Sequence, residues 1–145
     1  MTKRRLPPAA RWIIWAALFN SLVVYLLLLK FGNIVPEEAV GDSGLRTIFY
    51  ALGFSLAVAS MGIKQVATGL RTPQGDRKIP DWIDSAFIVC LALAETSGIL
   101  GFVLGALGHP LKESLPLFVI SFAAFLLAAP AFFYSAEKES VVSSQ

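Results

Sequence analysis

The chain has 145 residues, of which 56% are hydrophobic and 15% charged, and its formal net charge is +2. Soluble domains are about 45–50% apolar and about 25% charged, so this composition speaks against a soluble enzyme with an aqueous cleft and points to a membrane. Low charge with seventeen aromatic residues excludes disorder, the small dispersed charge argues against nucleic acid, and one cysteine with one histidine cannot build a disulfide, a zinc site or a haem ligand pair.

The apolar residues fall in four blocks. A helix rises about 1.5 Å per residue, so about 20 apolar residues cross a hydrocarbon core of about 30 Å. The first span is expected at 12–29, ended by Lys30 and Gly32. Lys3, Arg4, Arg5 and Arg11 give it the basic start of a secretory signal. Its apolar run of eighteen is too long for one, however, and no small-x-small cleavage site follows. It reads as a retained anchor. The second span is 47–63, slightly short, with Lys64 free to snorkel outward. The 69–81 segment, GLRTPQGDRKIPD, is a turn punctuated by Pro73, Gly75 and Pro80. The third and longest span is 83–107. The fourth is 115–134, opened by Pro116 and bent or frayed by Pro130, and the polar 135–145 tail reads as disordered.

Nine Lys and Arg lie in the N-terminal tail, the 64–82 connection and the C-terminal tail, against three (Lys30, Arg46, Lys112) in the other connections. The positive-inside bias then puts both termini and the central loop in the cytoplasm. Trp12, Trp15, Trp82 and Tyr134 lie near span ends, where amphipathic rings favour the headgroup region. The expected fold is all-α: a single integral membrane domain of four transmembrane helices, in a bacterial inner or plasma membrane.

Glu95 breaks the third span near its middle. A charge at a helix centre costs roughly 2.5–3.5 kcal/mol on insertion scales. The escapes are a proton, a bound cation or a partner on another helix, so Glu95 is the candidate ion site. The alternative is a protonated carboxyl bonded to Asn20, Ser55 or Ser60. Thr96 and Ser97 add oxygens that suit hard cations, although such hydroxyls also bond back to carbonyls one turn earlier. Ala94, Gly98, Gly101 and Gly105 form one small-residue stripe and Gly53, Ala57 and Ser60 another, so the second and third helices are expected to pack closely through them.

The 92–105 segment, ALAETSGILGFVLG, resembles the ion-carrying helix of the rotary ATP synthase c subunit (the proteolipid). Its Glu-Thr-Ser-Gly-Ile order is similar to the sodium-type members. The resemblance implies that Glu95 is the carboxylate for H⁺ or Na⁺ and Thr96 a neighbouring ligand. It also likens Arg71, Thr72, Pro73 and Gln74 to that family's cytoplasmic loop. The likeness spans 53–105, with an extra helix on either side.

The remaining polar residues read as structural. Asp81 and Asp84 suit the start of the third helix by charge. Cys90 reads as packing, His109 as an exposed surface residue, and the 118–133 aromatics as facing lipid or a partner helix. Two functions follow: a non-enzymatic proteolipid-like protein that binds or translocates H⁺ or Na⁺ through Glu95, or an accessory subunit in which Glu95 pairs with a partner helix. The partners expected are the bilayer and further copies or other membrane subunits.

Overall fold

Proline and glycine mark the ends of the helices. The computed structural model describes residues 5–32, 43–69 and 81–134, which contain helices and no strands: α1 (Pro8–Phe31), α2 (Ser43–Gly69), α3 (Ile83–Ala106), α4 (Leu111–Leu127) and α5 (Pro130–Phe133). Pro8 occupies the first position of α1, where its missing N–H leaves nothing unpaired. The turn after α3 is a Schellman motif. Gly108 takes φ 94°, its N–H reaches Gly105 O at 3.0 Å, and the His109 N–H reaches Leu104 O at 3.3 Å. Pro110, extended, then starts α4.

Helices α1, α2 and α3 are long and apolar enough to cross a membrane. At about 1.5 Å per residue, the 24 residues of α1 and of α3 each reach about 36 Å. Large apolar side chains cover the outside, among them Ile13, Phe31, Phe54 and Val119, while Ser60, Ser97, Ser114 and Ser121 are buried. That inversion suits a protein whose solvent is hydrocarbon. These features define a multi-pass helical membrane protein.

Helix α3 is the centre of the bundle: 44% of its most apolar stretch is buried, against 11% in α1 and 17% in α2. It runs parallel to α1, since Leu22 lies against Gly98 and Leu29 against Gly105. It runs antiparallel to α2 and α4, since Ser60 and Gly53 meet Cys90 and Ser97, while Ser121 and Ser114 meet Ala94 and Gly105. Residues 6, 11, 84 and 134 therefore gather at one end, and residues 46, 50, 109 and 113 at the other.

The fourth block departs from expectation. The helix begins at Leu111, four residues earlier than the apolar run, so Pro116 lies inside it. It ends at Leu127, and a break at Ala128 and Ala129 separates it from α5. Pro130 causes the break, because its nitrogen cannot donate to Leu126 O. The four freed carbonyls are all satisfied. Ala128 N donates to Ala124 O at 2.9 Å and Ala129 N to Leu126 O at 3.2 Å. Trp15 Nε1 donates to Phe125 O at 2.9 Å, and Lys64 Nζ to Leu127 O. Two side chains read as interfacial thus cap a helix instead.

Of the two surroundings expected for them, most aromatics of this block take the neighbouring helix. Phe118, Phe125 and Phe133 are fully buried, and Phe132 alone of the three neighbours Phe132, Phe133 and Tyr134 is exposed. Phe125 packs edge-on to Phe19 at 6.2 Å, and Phe133 to Phe87 at 5.3 Å. They fill the space between α4–α5 and the helices α1 and α3. The loop residues Arg71, Thr72, Pro73 and Gln74 and the 135–145 tail lie outside the described residues.

Candidate functional site

Glu95 is the thirteenth residue of α3, and its partner is Ser21, the fourteenth residue of α1. The parallel packing of these helices brings the two to one depth. Ser21 Oγ lies 2.6 Å from Glu95 Oε1 and also 2.6 Å from Leu18 O, one turn back on its own helix. One hydroxyl hydrogen cannot lie along both lines, and a carbonyl supplies none. Glu95 itself is half-buried at the rim of the α1–α3 contact.

The residues expected beside the carboxylate have other partners. Asn20 is exposed on the outside of α1. Ser55 bonds back to Ala51 O at 2.7 Å, and Ser60 donates to Cys90 O at 3.0 Å. Thr96 donates to Ala92 O at 2.8 Å, the internal bond that a hydroxyl in a membrane helix readily makes. Ser97 donates to Gly53 O at 2.8 Å, across to α2.

The α3 stripe is buried throughout and the α2 stripe at Gly53 and Ser60, but the two do not face each other along their whole length. Gly53 and Ser60 seat against Ser97 and Cys90, and Cys90 Sγ returns a bond to Ser60 O at 3.2 Å. Ala57 is half-buried on the same helix. The α3 stripe is covered instead by α1 and α4. A Cβ on Gly98 would strike Leu22, one on Gly101 would lie 3.1 Å from Leu117 Cβ, and one on Gly105 would lie 2.7 Å from Leu29. Above Ala94, which is fully buried, Ser121 donates to its carbonyl at 2.6 Å. Small residues let the backbones approach, and serines then reach carbonyls on the next helix.

Two polar clusters cap the bundle. At the end holding residue 6, Asp84 Oδ1 accepts from Tyr134 OH at 2.7 Å and lies 3.5 Å from Arg11 Nε. Asp84 Oδ2 accepts from the Leu6 N–H at 2.9 Å, and the Arg11 guanidinium sits 3.7 Å over the Tyr134 ring. Asp84 makes no capping bond to α3, whose N-cap is Trp82. Its helix-dipole role is therefore joined by a tertiary one that fastens α1 and the end of α5 to α3. Asp81 is exposed.

At the opposite end, Glu113 lies 3.1 Å from Arg46 and 3.0 Å from His109 Nδ1, and Tyr50 OH donates to its backbone carbonyl at 2.5 Å. The His109 ring, with the Arg46 charge assisting, holds this carboxyl below its ordinary value; Glu113 lies before the apolar run that begins at Leu115. His109 was expected on the surface and is only 5% exposed, because the Schellman turn folds its ring back over α4. No group of acidic, histidine or cysteine side chains suited to a metal occurs among the described residues.

Glu95 stands out in the sequence, whereas its contact Ser21 was not singled out. The signal was available: one intervening span makes α1 and α3 parallel, so a hydroxyl in the first span at the glutamate's depth can meet it. Compared with protein families, with curated proteins and with solved structures, the chain has no match.

Proposed function

We propose that this chain is a small multi-pass membrane protein that takes up and releases a proton at Glu95, in the middle of the bilayer. The supporting observation is the position of Ser21 Oγ, 2.6 Å from both Leu18 O and Glu95 Oε1. With a proton on Glu95, Ser21 donates to Leu18 and accepts from the carboxyl, and both contacts are hydrogen bonds. With the proton gone, Ser21 turns its hydrogen to the carboxylate and its bond to Leu18 is lost. The mechanism is reversible neutralisation, with Ser21 responding to the charge. No covalent chemistry is involved, and the protein acts without enzymatic turnover.

Of the two ions that the resemblance to the ATP synthase c subunit implies, we take the proton, because a hydrogen on Glu95 is what lets both short contacts of Ser21 Oγ be hydrogen bonds. Thr96 donates its hydrogen to Ala92 O and keeps its lone pairs, so sodium is left to the labelling experiment. The likeness is proposed for the carboxyl chemistry alone. The α3 glycines, covered by Leu22, Leu29, Leu117 and Phe118 of the same chain, are not free for a neighbouring hairpin.

The proposed setting is a bacterial inner or plasma membrane, with both termini cytoplasmic and α4 with α5 making a fourth crossing. In support, α4 starts beside Arg46 and Tyr50, and the chain returns to Asp84 by Tyr134. A second reading is supported by the same Ser21 contact: Glu95 as a permanent brace between α1 and α3 in an accessory subunit.

Carbodiimide labelling of the protein in native membranes, read at Glu95 by mass spectrometry, separates these readings. The reagent requires a protonated, reachable carboxyl. Selective labelling that disappears in Glu95→Gln, with insertion unchanged, supports the proton site. Protection by sodium would replace H⁺ with Na⁺. Absence of labelling at every pH tested would leave the brace.

A further inference from the structure

Hydroxyls on the bundle's surface are satisfied by their own helices: Ser55 by Ala51 O, Thr96 by Ala92 O and Thr47 by Ser43 O. Asn20 is different. It is exposed near the midpoint of α1, and it has no hydrogen-bond partner among the described residues. Its amide carries two N–H donors and an accepting oxygen, a set that one carbonyl on its own helix cannot satisfy. Hydrocarbon supplies neither donors nor acceptors, so an amide at this depth demands a partner helix.

Asn20 also sits in a regular seam. Ile13, Ala17, Asn20, Val24, Leu27 and Phe31 are spaced alternately by four and three residues, and all six are exposed. Ile13 is 68% and Phe31 70% exposed. That spacing keeps one line of side chains facing a second helix along its whole length. The side of α1 that packs on the bundle, carrying Leu18, Leu22 and Leu29, is the opposite one. Among the described residues, nothing covers the seam.

We propose that this seam of α1 packs against the same seam of a second copy of the chain, with the two Asn20 amides hydrogen-bonded across a two-fold axis. The occupant follows from the chemistry. Copies inserted in one orientation have parallel α1 helices, so their Asn20 residues meet at equal depth without adjustment. A primary amide is its own complement, each side donating one N–H and accepting one. Ala17, one turn before Asn20, lets the helices approach closely. A single asparagine in an apolar seam also sets register, since any slip leaves both amides unpaired. The proposal is independent of the proton site, because Ser21 and Glu95 are bonded to each other and neither belongs to the seam.

The test uses the full chain in phosphatidylcholine vesicles, with donor- and acceptor-labelled populations mixed over a range of protein-to-lipid ratios. The wild type should show concentration-dependent energy transfer that saturates as a dimer. Asn20→Leu should weaken the association about tenfold, a loss in the range of membrane hydrogen bonds, and Asn20→Gln should restore most of it. In a second measurement, Ala17→Cys and Val24→Cys should form intermolecular disulfides on oxidation, while Val58→Cys, exposed on α2, should not; the native Cys90 is fully buried and stays silent. A monomer at every ratio would overturn the proposal. So would wild-type association in Asn20→Leu, or cross-linking through Val58 as fast as through the seam.

Discussion

At the scale of single residues, the polar side chains divide by what the apolar surroundings allow them. Glu95 was legible in the sequence because a carboxyl inside an apolar run needs no geometry to be noticed. Its partner was not, since a hydroxyl on any of three helices could have served, and helical phase decided. Asn20 and Ser21 are adjacent, yet the rotation of about 100° between consecutive helical residues sends the first outward and the second to Glu95. Asp84 was legible only as a charge at a helix start. Its bonds to Leu6 and Tyr134 join residues 78 and 50 positions apart, which no local pattern encodes. Tyr134→Phe removes the hydroxyl that Asp84 accepts while keeping the ring beneath Arg11. A hydrogen bond to a charged group contributes about 1.5–3 kcal/mol, so the variant should unfold earlier in detergent by that amount. Unchanged denaturation would mean that headgroups or water replace the phenol without loss.

Whole elements show what helix packing adds to an apolar pattern. Composition alone located α1, α2 and α3, and their ends differ from the apolar runs by a few residues because polar turns at each end are helical too. The break before α5 was legible from Pro130, but the closing of its freed carbonyls by Trp15 and Lys64 was not. Both side chains had been assigned to the headgroup region on chemistry that is sound for an isolated helix. The glycines sharpen the same contrast. Gly62 has open space around the place of a Cβ, whereas at Gly98 that atom would strike Leu22, which is fully buried and unable to swing aside. Gly98→Ala should therefore destabilise the fold by about 1–3 kcal/mol through overpacking. Gly62→Ala should be neutral or stabilising by up to about 1 kcal/mol, through helix propensity. Thermal melts of the two variants in one detergent give the comparison, and equal melting would refute the packing of α1 on the α3 stripe.

For the molecule as a whole, two independent lines favour the proposed topology. The distribution of Lys and Arg depends only on which loops are basic, and it assigns the termini to one side of the membrane. The packing depends only on which side chains touch, and it brings Leu6, Asp84 and Tyr134 to one end and Arg46, His109 and Glu113 to the other. An even number of crossings between residues 6 and 134 would satisfy both, and the proposed crossing by α4 with α5 would be the last. The prediction is one of sidedness. An impermeant maleimide should label Arg5→Cys and Lys138→Cys only in inverted vesicles, and Lys112→Cys only in right-side-out ones. Cys90, fully buried, adds no background. If Lys112→Cys and Lys138→Cys react from the same face, the proposed fourth crossing fails, and residue 138 lies on the side that holds Lys112.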